Sequence, residues 1–383
     1  MLTDRPILII PNLIPQPTWG GSYIAEYKNW QHLKEINGLK IGQSYELFGN
    51  LALAASIRDS ASPDLLPLIN NRVPEGSRNI SFDFFPNLSE EDKKAILGPE
   101  IYIKYGTIPI LIKFTQALGN SFQLHRKPDK PDPKWLPKAE SWYFLEKGKI
   151  TFGINPAYTR AEYRETCEKI DTEMKNLSQK VLSNQISVDQ ARDKAKKYIS
   201  QINPWKYVNI LDIDQGQLID LSGGGLHHSW EEDESLPWGN IVYEIQQDVS
   251  DDLSTLRSFD QGKIKDDGTI RPVTINDYFR HLDTDSVRNN ISNARKTAKG
   301  ENLLKTKYYS LDRIIANKKA TQILTDSFHH LFILEGAARI GQGEEVIRIT
   351  KGHSCLVPHA LGQYQIFPET NNAIILKTYI DKE

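Results

Sequence analysis

Ile110-Leu111-Ile112-Lys113-Phe114-Thr115, Ser121-Phe122-Gln123-Leu124-His125, Ser141-Trp142-Tyr143-Phe144-Leu145-Glu146 and Lys149-Ile150-Thr151-Phe152-Gly153-Ile154 are four strand-like runs in quick succession. Between them lie Gly119-Asn120, a proline-rich stretch from Pro128 to Pro137, and Lys147-Gly148. Short strands separated by close turns predict a β-sandwich or barrel.

Working outward, the same texture recurs. On the N-terminal side, Ile7 to Ile14 reads as a short apolar strand, and Ile41 to Phe48 alternates with the period of two expected of a half-buried strand. Residues 22 to 39, 62 to 70 and 89 to 105 read as helical pieces. On the C-terminal side, residues 156 to 203 are polar, rich in Glu, Lys, Ala and Gln, and free of proline after Pro156, which predicts two or three helices forming an inserted subdomain. Strands resume at Val208 to Ile213, Gln217 to Leu221 and Ile241 to Gln247, and a charged region runs from 263 to 320. From Phe328 to Tyr379 short strands alternate with glycine turns, so the chain reads as mainly β with α insertions, built around two related β-barrels.

Bulk properties narrow the function. With 383 residues the chain is long enough for a large buried core, and its formal net charge of −2 carries no basic stripe of the kind a nucleic-acid binder shows. No apolar run reaches the ~20 residues needed to span a bilayer, and the N-terminal residues lack the basic start and small-residue cleavage site of a signal peptide. The two cysteines, Cys167 and Cys355, have no metal-type spacing and suit a reducing compartment, which predicts a cytoplasmic protein.

Three segments concentrate chemistry. On a strand, Ser121, Gln123 and His125 share one face while Phe122 and Leu124 share the other. Lys138 and Glu140 share a face at the start of an apolar strand, where a carboxylate needs a cation or the surface. Gly223-Gly224-Gly225 precedes Leu226-His227-His228; adjacent histidines on an extended segment face opposite ways, so one of the two would enter a shared site. Two imidazoles, a carboxylate and an amide oxygen make a mixed N/O donor set for a divalent ion, zinc first, with iron, manganese or cobalt also compatible. Such a site would keep about one formal positive charge and would favour anionic substrates and developing oxyanions. Arg257, among acids after a strand, is a natural fork for an anion or a surface ion-pair partner.

Trp19-Gly20-Gly21, Ile41 to Leu47, Pro109 to Phe114, Ser121 to His125, Lys138 to Tyr143 and Glu244-Ile245-Gln246-Gln247 occur in that order, and the ordered series resembles the type I mannose-6-phosphate isomerases, zinc enzymes of the cupin superfamily. The resemblance covers about two thirds of the chain. It departs from the family pattern at Arg126-Lys127, which precede Pro128-Asp129, at His228 in place of an alanine, at Tyr45 in place of a tryptophan, and in the longer spacing from Ser250-Asp251 to Arg257.

The resemblance implies two cupin-type (jelly-roll) barrels: an N-terminal metal-binding domain from 1–155 and 206–262, a helical insertion at 156–205, a connecting, partly helical region at 263–320 and C-terminal cupin-like strands at 321–383. It implies Gln123, His125, Glu140 and His227 as metal ligands, Lys138, Arg257 and Glu244 as catalytic residues, Ser121 as substrate-binding and Trp19 as an aromatic at the pocket entrance. The implied activity is interconversion of mannose 6-phosphate and fructose 6-phosphate through an enediolate, with a small-molecule sugar phosphate as partner and neither nucleic acid nor membrane. A lysine so close to a metal would have its ammonium form disfavoured, which suits a base. Two other readings fit the residues: a sugar-binding or sugar-sensing cupin without turnover, and a metal-dependent cupin oxygenase.

Overall fold

A computed structural model describes residues 3–74, 82–119, 121–128, 131–230, 233–297 and 300–381; Asn120 of the expected turn and Asp129 lie outside them. Four antiparallel-rich sheets and one helical layer stack in sequence. The first barrel closes between an eight-stranded sheet, in which Glu140–Phe144, Asn240–Gln247, Ile110–Ala117, Ile41–Leu47 and Asn12–Pro15 are successive neighbours, and a five-stranded sheet ordered Val208–Ile213, Gly148–Ile154, Gly225–Ser229, Phe122–His125, Thr255–Phe259. The second barrel pairs another eight-stranded sheet with the four strands Ala320–Ile323, Gln363–Pro368, Ala337–Gln342 and Glu345–Thr350.

Side-chain alternation explains the layering. Ile112, Phe114, Tyr243 and Ile245 pack against Phe332, Leu356 and Leu376, so the two eight-stranded sheets lie back to back. From the same strands Lys113, Thr115, Val242 and Glu244 point the other way, into the first barrel. Phe122 and Leu124 face outward onto the helical layer, leaving Gln123 and His125 for the interior. The second barrel is filled by Leu8, Ile10, Ile333, Ile340, Ile347, Ile366 and Ile375.

The chain changes sheets at Pro11. Ile7–Ile10 pairs with Ser354–Val357 in the second barrel, while Asn12–Pro15 pairs with Ile41–Leu47 in the first. The first strand of the chain therefore belongs with the C-terminal strands in space, and Ala52–Ala54 and Asp83–Phe84 join the same sheet. The helical reading of 62–70 is corrected: Leu68–Ile69 forms a parallel pairing with Asn12–Leu13, preceded by turns. Pro63 and Pro67 deny a helix its backbone donors there, and Leu65 and Leu68 bury themselves individually in the second barrel. The reading of 22–39 as helical holds only for Tyr23–Tyr27; beyond it Asn29 turns left-handed at φ 57°.

The polar insertion is two helices, Arg160–Leu182 and Val188–Ile202, each opened by a capping box, Thr159 with Glu162 and Ser187 with Gln190. Tyr163, Cys167, Ile170, Met174 and Leu177 recur at helical spacing and cover the outer face of the five-stranded sheet. No helix among the described residues is long and apolar enough to cross a membrane.

Three histidines of the second barrel, His329, His330 and His353, are held neutral by burial, which lowers each from its ordinary value to about 3. The unfolded chain takes up these protons near pH 6.5 while the folded chain does not until about pH 3, so stability is lost as pH falls through that interval. The urea midpoint is expected to fall steadily between pH 7.5 and pH 5; a flat profile there would show that these rings are not buried neutral.

Candidate metal centre and its pocket

The centre is assembled across the mouth of the first barrel. Strand Gly225–Ser229 lies beside Phe122–His125 in a register that sets His227 opposite Gln123 and Gly225 opposite His125. Close approach here needs glycine: a Cβ on Gly224, whose φ is 74°, would stand 2.7 Å from the His125 carbonyl oxygen. From the facing sheet, Glu140 sits opposite Gln246 on the neighbouring strand Asn240–Gln247, and its side chain enters the same space.

His125, Glu140 and His227 offer ligand atoms that all lie within 4.8 Å of one another, and theirs is the only such group among the described residues. His125 Nε2 is 2.9 Å from Glu140 Oε2, and His227 Nε2 is 3.1 Å from the Gln123 amide. Each imidazole has its other nitrogen against a backbone carbonyl: His125 Nδ1–H donates to Ser254 O at 2.9 Å and His227 Nδ1–H to Gly225 O at 3.1 Å. That arrangement fixes the tautomer and turns both Nε2 lone pairs inward, as a metal requires of its ligands. A half-turn of the Gln123 amide presents its oxygen in place of its nitrogen. Trp142 Nε1–H donates to Glu140 Oε1 at 2.5 Å, which holds the carboxylate plane.

The electrostatics agree. Burial alone would raise the Glu140 carboxyl, but Lys138 and the two histidines outweigh it and hold it well below the usual range, as an anion. Burial lowers His227 to about 3, so its imidazole is neutral. The donor set therefore fits a divalent cation. His228 is turned to the opposite face: it stacks on Phe122 with ring centroids 4.1 Å apart and bonds Thr151 Oγ1 at 2.8 Å. Of the two adjacent histidines it is His227 that faces Glu140, its Nε2 3.9 Å from Oε1.

Beside the donor cluster is a cavity lined by Trp19, Ser121, Gln123, Lys138, Glu140, Glu244 and Arg257, so the residues singled out in the sequence converge on one place. Lys138 Nζ bridges Glu140 Oε2 and Asp251 Oδ1, each at 3.2 Å. Asp251 Oδ2 lies 3.5 Å from Arg257 Nη2, so the two meet despite the longer spacing between them in sequence. Asp251 heads the short helix Asp251–Ser254, which runs straight into the strand carrying Arg257.

Lys113 was not among the expected site residues. Its ammonium, buried in the cavity wall, contacts Glu244 Oε1 at 2.9 Å and Gln246 Oε1 at 2.8 Å, and Thr115 Oγ1 donates to Glu244 Oε2 at 3.2 Å. Burial raises the Glu244 carboxyl despite Lys113 beside it, so this acid holds its proton more readily than Glu140 does. The signal was a lone charge in an otherwise apolar strand. Arg271, Trp142 and Tyr45 also line the cavity and were not among the expected site residues. Four cationic side chains face three carboxylates in this cavity before any metal is counted, so with a divalent ion it favours an anionic ligand.

Comparison with known proteins agrees with this architecture. The family model described as "Mannose-6-phosphate isomerase, cupin domain" matches residues 299–375. No curated protein matches the sequence. Among solved structures, mannose 6-phosphate isomerase from Bacillus subtilis superposes with a TM-score of 0.63 at 15% identity, over 98% of this chain and 99% of that one. A zinc-bound mannose 6-phosphate isomerase superposes with a TM-score of 0.65 at 12% identity, over 99% of this chain and 100% of that one. A variant of phosphomannose isomerase from Salmonella typhimurium gives a TM-score of 0.64 at 12% identity, over 98% and 100%. The likeness runs the full length of the fold.

Proposed function

We propose that this chain, which shares the fold of mannose-6-phosphate isomerases from end to end, is a metal-dependent aldose–ketose isomerase acting on mannose 6-phosphate and fructose 6-phosphate. The observation that carries the reading is that Glu140 belongs at once to the donor group it forms with His125 and His227 and to the cavity lined by Lys138, Glu244 and Arg257.

Gln123, His125, Glu140 and His227 would hold the ion, zinc by donor chemistry. When bound, the ion supplies Lewis-acid polarisation of the substrate's C1 and C2 oxygens, which acidifies the C2 proton. The remaining work belongs to side chains. One proton leaves C2 and is returned at C1, while the hydroxyl proton passes from O2 to O1, so the aldose becomes the ketose through an enediolate with no net gain or loss. Lys138 and Glu244 face the cavity as the proton carriers. Lys113 and Thr115 orient the Glu244 carboxylate, and Asp251 orients both Lys138 and Arg257. Arg257, whose Nε is buried without a hydrogen-bond partner, has donors to spare for an enediolate oxygen. Ser121 and Trp19 bound the cavity where the rest of the sugar would lie. The buried free thiols of Cys167 and Cys355 suit a reducing, cytoplasmic setting.

A coupled assay on mannose 6-phosphate before chelation, after chelation and after zinc repletion tests the reading. Activity is expected to vanish on chelation and return with the metal. Turnover indifferent to chelation contradicts it, and tight binding of the sugar phosphate with no turnover in the metal-loaded protein would favour a sugar-sensing role.

A further inference from the structure

Residues 260–274 leave the strand that carries Arg257 and come back to it. Thr274 donates its backbone N–H to the Arg257 carbonyl at 2.7 Å, and the Arg257 N–H donates to Thr274 Oγ1 at 2.9 Å. In between, the segment is strapped to the helical insertion. Arg192 donates to the Ile264 carbonyl through Nε at 3.0 Å and Nη2 at 2.8 Å, and to Asp266 Oδ1 at 2.7 Å. Ser178 donates to the Gly268 carbonyl at 2.8 Å. Gly268 has φ +80°, and a Cβ there would stand 2.6 Å from Val181 Cγ1, so the loop hugs the helix as only glycine permits. Ile264 is sunk in the core that the helices share with the five-stranded sheet.

What this strap delivers is Arg271, at the mouth of the cavity beside Arg257. The guanidinium of Arg271 is 3.5 Å from Asp260 Oδ1 and that of Arg257 is 3.5 Å from Asp251 Oδ2, both longer than a charge-assisted hydrogen bond of about 2.8 Å. With Arg257 given to the enediolate oxygens, the loosely paired guanidinium of Arg271, facing the same cavity, is left for a second anion with several acceptor oxygens.

We infer that Arg271 is a specificity-determining residue that reads the dianionic phosphate of the substrate, and that the helical insertion serves the site as the part that holds Arg271 there. The inference rests on the isomerase reading above and adds to it a role for the insertion and its loop. Arg192 is a positioning residue in this scheme, acting only through the loop.

The test uses the zinc-loaded full chain, its Arg271→Gln, Arg271→Lys and Arg192→Met variants, and mannose 6-phosphate, mannose and inorganic phosphate as probes. Arg271→Gln is expected to raise KM for mannose 6-phosphate about tenfold or more, the loss of one charge-assisted contact, with the effect falling on KM rather than kcat. Inhibition by inorganic phosphate weakens in step, and weak activity on mannose does not follow. Arg271→Lys recovers part of the loss, and Arg192→Met moves KM the same way by a smaller factor. A KM and a phosphate inhibition constant within about twofold of the parent in Arg271→Gln overturn the inference. If the parent turns over no mannose 6-phosphate, the isomerase reading fails first; calorimetric titration of mannose 6-phosphate and phosphate into parent and Arg271→Gln then decides the role of Arg271, equal affinities rejecting it and a selective loss sustaining it.

Discussion

Replacing Glu140 with Gln is expected to strip the protein of its metal and lower turnover by roughly a thousandfold or more. Altering a group that merely supports a ligand costs about 10- to 100-fold, and in the proposed centre Glu140 would itself be a donor, the one carboxylate beside His125 and His227. Gln keeps the shape and removes the charge. The loss spreads to neighbours: Lys138 Nζ, 3.2 Å from Glu140 Oε2, loses one of its two carboxylates, and His125 Nε2 loses the oxygen 2.9 Å away. Metal content by elemental analysis, read alongside the coupled assay, separates a lost ion from a misplaced lysine. One full equivalent of bound zinc with parental turnover in Glu140→Gln would remove this carboxylate from the centre.

The second large effect is expected far from the chemistry. Lys28 and Glu46 form an ion pair of 2.7 Å in which both side chains are 0% exposed, between the two barrels. Glu46 also accepts from Ser44 Oγ at 2.6 Å and from Ser354 Oγ at 2.7 Å, and Lys28 donates to the Gly352 carbonyl, so the pair stitches strand Ile41–Leu47 to the second barrel. Burial pulls the Lys28 ammonium below its ordinary range against the opposing pull of Glu46, which marks how much the charge depends on its partner. Lys28→Met removes one charge and leaves the other buried, a change that costs about 3–5 kcal/mol. The double change Lys28→Met with Glu46→Leu is expected to cost clearly less than the two single changes added together, because it removes the stranded charge. Urea unfolding of the four proteins measures the coupling; additive losses, or a single variant within about 1 kcal/mol of the parent, would mean the pair is not desolvated as described.

Much of the site could be read from local patterns. Gln123 and His125 could be assigned to one face because Phe122 and Leu124 demand the other, and strand parity is a local property of the backbone. Lys138 and Glu140 followed from the same rule. The insertion announced itself through its polar composition and helical spacing. Lys113 is the instructive omission: its apolar neighbours marked a core strand, and nothing local distinguishes a buried lysine that meets a carboxylate from one that snorkels to the surface. Its partner Glu244 is on the adjacent strand, opposite it in register but remote in sequence.

The fold itself divides the same way. Residue order alone determined that the chain is mainly β, that a helical insertion interrupts it, and which side chains on each strand share a face. These depend on interactions between residues a few positions apart. Only the tertiary structure decided that Ile7–Ile10 lies in the C-terminal sheet, that His227 rather than His228 meets Glu140, that Asp251 joins Lys138 to Arg257, and that residues 260–274 carry Arg271 to the cavity. Those outcomes turn on strand pairing and loop closure between distant segments, where many partners are locally equivalent and only the simultaneous burial of all the sheets selects one.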